Sequence, residues 1–328
     1  MRTNTNRGSA LLAVLWLSAA LSAIAFSVAS SVRAETERAS TTAEGVRAYY
    51  LAAGAIDRAI LYMLWGANNY RNPDGTPMFY QAPMPRIPMN FPTGQVTVEV
   101  IPEAGKLNVN TATVADLQTL MFMLGIDRPL AARIVAGIIE WRTPVGAGVP
   151  PNLGGGSTFQ PRHASLEELE EILLIPGMTP DIFYGRYDHD PSGRLIPRGG
   201  LRDCLTVWGA GAKIDVNTAP PELLQSLGIP AASVQALIAR RIAKPFEKMD
   251  EVGQFVSDPG AMARLGIGGS SIWTLRATAR VRTPNGRTSD LRKTVSAVVK
   301  LLDMTKWDPP YHILRWYDDA WSPVAQAN

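Results

Sequence analysis

Asp188-His189-Asp190-Pro191-Ser192-Gly193 is the stretch whose spacing could hold a metal. Oxygen side chains fall at alternate positions and glycine at the sixth, as at the start of a calcium loop. Gly199 stands at the twelfth position, where a bidentate glutamate would be wanted. A polar Pro-Gly turn accounts for the same residues without an ion and is the preferred reading, since half a ligand pattern arises readily by chance. Asp188, Asp190 and Ser192 are the candidate calcium ligands, and calcium is the one cofactor the sequence admits. Catalysis finds no foothold. There is no Walker phosphate loop, no Gly-x-Ser-x-Gly elbow and no His-Glu-x-x-His pair. His163, His189 and His312 are scattered, and Cys204, the 1 cysteine, reads as a small buried apolar residue. A single cysteine also excludes an internal disulfide. The expectation is a protein that is not an enzyme.

The elements around this stretch are helical. Lys106-Leu-Asn-Val-Asn-Thr-Ala112 is echoed by Lys213-Ile-Asp-Val-Asn-Thr-Ala219. Each copy leads into a helix (Val114–Leu124, Pro220–Leu227), a glycine (Gly125, Gly228) and a second helix ending in basic residues (Pro129–Arg142, Ala231–Arg241). Asn110 or Thr111, and Asn217 or Thr218, could cap the first helix of each pair. Ser165–Leu174 opens with a capping-box pattern at Ser165 and Glu168 and reads as a further helix. Pro144–Pro161 reads as a mobile loop. The hairpins resemble helix-hairpin-helix modules, which often bind DNA through a Gly-hydrophobic-Gly turn. Here the second glycine is Asp127 in one turn and Pro230 in the other. A net charge of +3, from 32 basic and 29 acidic residues, is also too balanced for a polyanion partner. A packing unit is therefore preferred to a DNA clamp, and no nucleic acid is expected.

Strands bracket this region. Gln95–Ile101 alternates apolar and polar residues, and Trp273–Thr283 and Arg287–Leu301 flank the turn signal Pro284-Asn285-Gly286. Trp307, Tyr311, Trp316, Tyr317 and Trp321 lie in a C-terminal tail that would cover a sheet edge or dock another subunit.

Before all of this, Arg2 and Arg7 precede Gly8, and no charged side chain occurs from Ser9 to Val32. These roughly 24 residues make a helix about 36 Å long, enough for a bilayer core of about 30 Å, with the basic end in the cytoplasm. A secretory signal cut near Ala29-Ser30-Ser31, a plain anchor, and a leader cut after Gly8 are the three readings. Val46, Tyr49, Tyr50, Ala53, Ile56, Ile60, Met63 and Leu64 continue the helical spacing, so one helix is expected from Ser9 to about Trp65. A cleavable signal has no use for that extension.

The run Arg7-Gly-Ser-Ala-Leu-Leu-Ala-Val-Leu-Trp-Leu17, followed by Tyr50-Leu-Ala-Ala-Gly-Ala-Ile-Asp-Arg-Ala59, resembles the start of the minor pseudopilin K of type II secretion systems. In that family a prepilin peptidase cuts after the glycine and methylates the new first residue, which implies processing at Gly8 and Ser9 here. Most pilins carry glutamate five residues into the mature chain; the K subunit is the known exception, and this chain has Ala13. That glutamate pairs with a neighbour's amino terminus, and a tip subunit has none above it; unpaired in lipid a carboxylate is costly. Calcium has been described for the K family.

The resemblance implies an α+β pseudopilin fold: a long N-terminal helix on a small antiparallel sheet, with a large all-α (helix-hairpin-helix, SAM-like) domain inserted between strands. The expected division is a leader over 1–8, a transmembrane segment over 9–32, and amphipathic helix with the first part of the sheet over 33–107. The helical insertion follows over 108–268 and the C-terminal hairpin and tail over 269–328. The implied function is that of a tip subunit initiating pseudopilus assembly and supporting protein secretion across the outer membrane. Its implied partners are the minor pseudopilins of types I, J and H, the prepilin peptidase, and secreted cargo or the outer-membrane secretin. The implied location is the bacterial inner membrane, single-pass, with the C-terminal part in the periplasm. The alternative is a membrane-anchored, competence-type DNA-binding protein using the helical hairpins.

Overall fold

The computed structural model describes residues 6–66, 68, 70–82, 84–146, 161–190, 192–209, 213–283, 285–303 and 305–320. Trp321, Pro284 and most of the loop expected over Pro144–Pro161 lie outside these.

Helix α1 runs unbroken from Asn6 to Gly66. Its hydroxyl residues do not interrupt it, because Thr36, Thr41 and Thr42 donate back to the carbonyls of Val32, Glu37 and Arg38. Its distal half buries Ala48, Ala52, Ala55, Ile56, Ala59, Ile60 and Met63. The buried stripe is rotated from the expected one: Tyr50, 70% exposed, and Val46, 51% exposed, face outward, and an alanine row takes their place. Alanines let the helix backbone lie close against a sheet, where a tyrosine would hold it off.

Strands β1 (Arg86–Phe91) and β2 (Gly94–Pro102) form an antiparallel hairpin. The chain then leaves the sheet through a single 3-10 turn, Glu103–Gly105. It builds β3 (Leu107–Asn108), α2 (Val114–Met123) and α3 (Arg128–Arg142), then a second 3-10 turn, Leu169–Leu174. Next come α4 (Pro180–Tyr184), the hairpin β4 (Arg186–His189) with β5 (Leu195–Arg198), α5 (Leu201–Cys204) and β6 (Leu205–Thr206). A second run follows: β7 (Ile214–Asp215), α6 (Pro221–Ser226), α7 (Ala231–Ala243), α8 (Met249–Val252), α9 (Pro259–Arg264) and β8 (Leu265–Gly266). The chain re-enters the sheet as β9 (Ile272–Val281), β10 (Lys293–Leu301) and β11 (Tyr311–Tyr317).

The sheet order is β1-β2-β9-β10-β11, antiparallel throughout. β2 and β9 are neighbours, Val98 opposite Ala277, although the whole helical run lies between them in sequence. One face presents Val96, Val98, Val100, Leu275, Ala277, Ala279, Val295, Ala297 and Val299 to α1. The helical run has its own core, around Leu117, Ile134, Ile138, Trp141, Leu223 and Leu237, and the two cores share no buried residue. Three expectations are corrected. Ser165 starts no helix, since Glu171, rather than Ser165, receives the amides of Glu167 and Glu168 and tightens a 3-10 turn. Arg287–Arg292 stays out of β10, which begins at Lys293. Of the aromatic tail, Tyr311, Trp316 and Tyr317 do not lie over the sheet edge but belong to its last strand, β11.

Candidate functional site

Gly8 and Ser9 lie near the start of α1, and Ala13 is exposed on the same helix. From Ser9 this helix is long and apolar enough to cross a membrane, and its most apolar stretch is wholly exposed. Leu11, Trp16 and Phe26 are all more than 70% exposed. The same helix, without a break, then becomes the element on which the sheet packs. An apolar surface of that extent in water is costly, about 25 cal/mol per Å², so the segment calls for lipid or partner helices.

The candidate cation residues sit far along the chain, in the β4–β5 hairpin. Asp188 is opposed by two guanidiniums, Arg186 Nε at 2.9 Å and Arg198 Nε at 2.6 Å. Asp190 accepts from the Ser192 amide at 2.9 Å, the Ser192 hydroxyl at 2.5 Å and the Arg194 amide at 2.9 Å. The Ser192 hydroxyl, together with the Arg194 amide, holds its carboxyl below the ordinary carboxylate range. Gly193, at φ 80°, closes the turn by donating to the Asp190 carbonyl. Guanidiniums, amides and one hydroxyl, all donors, thus occupy the described sides of both carboxylates. Among the described residues no group of three or more His, Cys, Asp or Glu is placed to hold a metal.

The two sequence repeats fold alike. In the first, β3 pairs in parallel with β6, and Val109 continues the ladder to Thr206. In the second, β7 pairs in parallel with β8, and Val216 continues it to Gly266. Asn110 donates to the Leu166 carbonyl at 2.9 Å and accepts from its amide at 2.8 Å. Asn217 does the same with Phe246, at 3.0 and 2.8 Å. Arg142, in the last turn of α3, donates to the carbonyls of Val109 and Ala112; Arg241 on α7 donates to those of Val216 and Ala219, both at 2.8 Å. Burial lowers the pKa of both arginines from the usual guanidinium value. The repeated asparagines are therefore bridges, not helix caps. Thr113 caps α2, in a box with Asp116, and Pro220 precedes α6. The helical hairpin turns offer little to a phosphate: Asp127 caps α3 by accepting from the Leu130 amide at 3.2 Å. A carboxylate thus occupies the place where an anion would sit.

Where the helical run meets the outer face of the sheet, polar contacts stand among apolar side chains such as Leu169, Trp208 and Val298. Glu99 and Arg276, cross-strand partners, pair at 3.3 Å, and Thr274 donates to Glu103 at 2.6 Å. Glu168, at the start of the second 3-10 turn, receives Arg315 and the Tyr317 hydroxyl from β11. Sequence reading did not find this pairing, because nothing in the spacing links residues so far apart.

Comparison with known proteins agrees with this architecture. Residues 214–267, the whole second repeat from β7 to just past β8, match the family model for type II secretion system (T2SS) protein K. A chain from the crystal structure of the GspK-GspI-GspJ complex of the enterotoxigenic Escherichia coli type 2 secretion system matches the fold with a TM-score of 0.59. The identity is 16%, and the match covers 87% of this chain and 100% of that one. No curated protein was found to match the chain. By sequence over residues 214–267 and by an α+β fold over most of its length, the chain resembles protein K of type II secretion systems.

Proposed function

We propose that this chain is a minor pseudopilin of the K type, acting at the tip of a type II secretion pseudopilus. The observation that carries the reading is the double role of α1. Its first part is an exposed apolar helix suited to a bilayer, and its second part is the backing of the sheet core. A helix built this way serves packing into a filament, where loss of the apolar part would discard the assembly element. The leader would end at Gly8, leaving Ser9 as the first residue of the mature chain. Before extraction the apolar segment would lie in the inner membrane, with the sheet and helical insertion in the periplasm. Division of the chain into 1–8, 9–32, 33–107, 108–268 and 269–328 follows from the same reading. Minor pseudopilins corresponding to GspI and GspJ are the proposed partners, after the composition of the solved complex, and a type H subunit would join them. The role is assembly and initiation, supporting secretion across the outer membrane, with no reaction catalysed. The polar Pro-Gly turn is the proposed role of Asp188, Asp190 and Ser192. Asp127 at the head of α3 argues against the DNA-binding alternative.

The test is intact-mass measurement of the chain from cells with and without a prepilin peptidase. The expected mature species begins at methylated Ser9 only when the peptidase is present. A species cut near Ser31, or one still beginning at Met1 with the peptidase present, overturns the reading.

A further inference from the structure

We propose that the helical insertion is a hinged body, closed onto the sheet by a polar latch at Glu168. Two cores with no buried residue in common already divide the molecule into sheet and insertion. Bodies joined through an interface that is neither large nor wholly apolar move relative to one another by default. That interface holds a cleft of about 280 Å³, whose walls mix the charged Glu99, Glu103, Arg202 and Arg276 with the apolar Leu169 and Trp208.

Among the described residues, two segments of chain cross it. One is the 3-10 turn Glu103–Gly105 directly after β2. The other is Gly268-Gly269, separated from β9 by Ser270 and Ser271. These two glycines stand at φ 68° and 80°, with no atom within 4 Å of where a Cβ would point. Open space rules out close packing as the reason for glycine there, and the left-handed backbone remains. The insertion grips one side of this joint, because the Gly268 amide donates to Asp215 at 3.0 Å. The sheet grips the other, through the Ser271 carbonyl, which accepts from Leu301 at 2.7 Å. The two crossings border one small cavity of about 110 Å³ that includes Glu103, Lys106, Gly269 and Ser271. They therefore lie side by side, as the two leaves of a hinge require.

The latch closes the cleft away from the crossings. Glu168 of the insertion receives Arg315 and Tyr317 of β11. β11 is itself tied to the long helix, since Tyr49 of α1 donates to Asp318 at 2.7 Å. The insertion is thus fastened to α1 through the C-terminal strand, and release at Glu168 frees it to swing.

The experiment uses the full chain in detergent, spin-labelled at Gln235→Cys on α7 and Asp290→Cys beside the sheet. Cys204 is buried and stays unlabelled. Electron–electron distance measurement compares the unaltered latch with Glu168→Ala and, from the other side, with Arg315→Ala/Tyr317→Phe. Glu167→Ala, next to the latch but paired with Arg162, serves as the control. The expected result is a distance distribution about twofold broader in both latch variants and unchanged in the control, with the insertion's thermal transition retained. Equal widths in all variants overturn the hinge. Loss of folding in both latch variants also overturns it, since the contact would then be part of the core.

Discussion

Asn110 and Asn217 stand in different repeats and make the same two hydrogen bonds, each holding the amide and the carbonyl of one remote residue, Leu166 or Phe246. Each asparagine takes the place of a missing strand partner. Substitution by alanine leaves a part-buried amide and carbonyl without partners, at about 1 kcal/mol or more for each bond. Asn217→Ala and Asn110→Ala are each expected to lower stability by about 2 kcal/mol in urea unfolding of the chain. Thr111→Ala, on an exposed neighbour with one long 3.4 Å bond, should change it by less than about 0.5 kcal/mol. Equal losses at Asn110 and Thr111 would refute the bridge.

Arg142 and Arg241 complete the same unit from the opposite side, each donating to two carbonyls of its own repeat. Lysine carries the charge but presents one ammonium in place of a fork and cannot reproduce both contacts with the same geometry. Arg241→Lys is expected to cost about 1 kcal/mol, and Arg241→Met more, about 2 kcal/mol. Thermal unfolding of the two variants checks the order, which should be the same for Arg142.

The β4–β5 turn is expected to depend on Asp190 as a carboxylate and not on calcium. The folded-state pKa of Asp190 is depressed below 3.8 by Ser192 and the Arg194 amide. Its contribution is therefore complete above the unfolded value and is lost as pH falls through the folded one. At neutral pH, Asp190→Ala should speed tryptic cleavage at Arg194, while added calcium leaves cleavage of the unaltered chain as it was. Protection by calcium that disappears in Asp188→Ala/Asp190→Ala would restore the cation-loop reading.

Much of the fold was legible because its signals are local. Alternation marks Gln95–Ile101, which lies within β2, and a turn signal separates the regions that became β9 and β10. The uncharged run from Ser9 and the helical spacing beyond it mark α1. The repeats were visible as repeats, but their asparagines looked like caps, since an Asn before a helix is also a common cap. Only the distant partners Leu166 and Phe246 distinguish the two roles. β1 was missed because Arg86-Ile-Pro-Met-Asn-Phe91 carries a proline, which weakens a strand signal but is tolerated at a sheet edge. The β4–β5 hairpin was missed because its residues are mostly exposed and show no apolar alternation. Gly8 and Ser9 are singled out by the polar-to-apolar boundary and by the family resemblance, and processing there stands as a proposal.

Glu99 and Arg276 supply the sharpest energetic contrast. Both are 8% exposed, they sit opposite each other on β2 and β9, and they pair at 3.3 Å. Burial pulls the Arg276 pKa down and the Glu99 charge works against that pull, so the guanidinium relies on its partner. Removing one charge takes from the other its cross-strand counter-charge in a low-dielectric place, which costs about 3–5 kcal/mol, whereas removing both costs little. Glu99→Leu or Arg276→Leu alone is expected to lower stability by about 3 kcal/mol, while the double change should return to within about 1 kcal/mol of the unaltered chain. The double-mutant cycle in urea decides it. Additive losses would mean that the two charges are solvated separately, and that water rather than their attraction fills the outer face of the sheet.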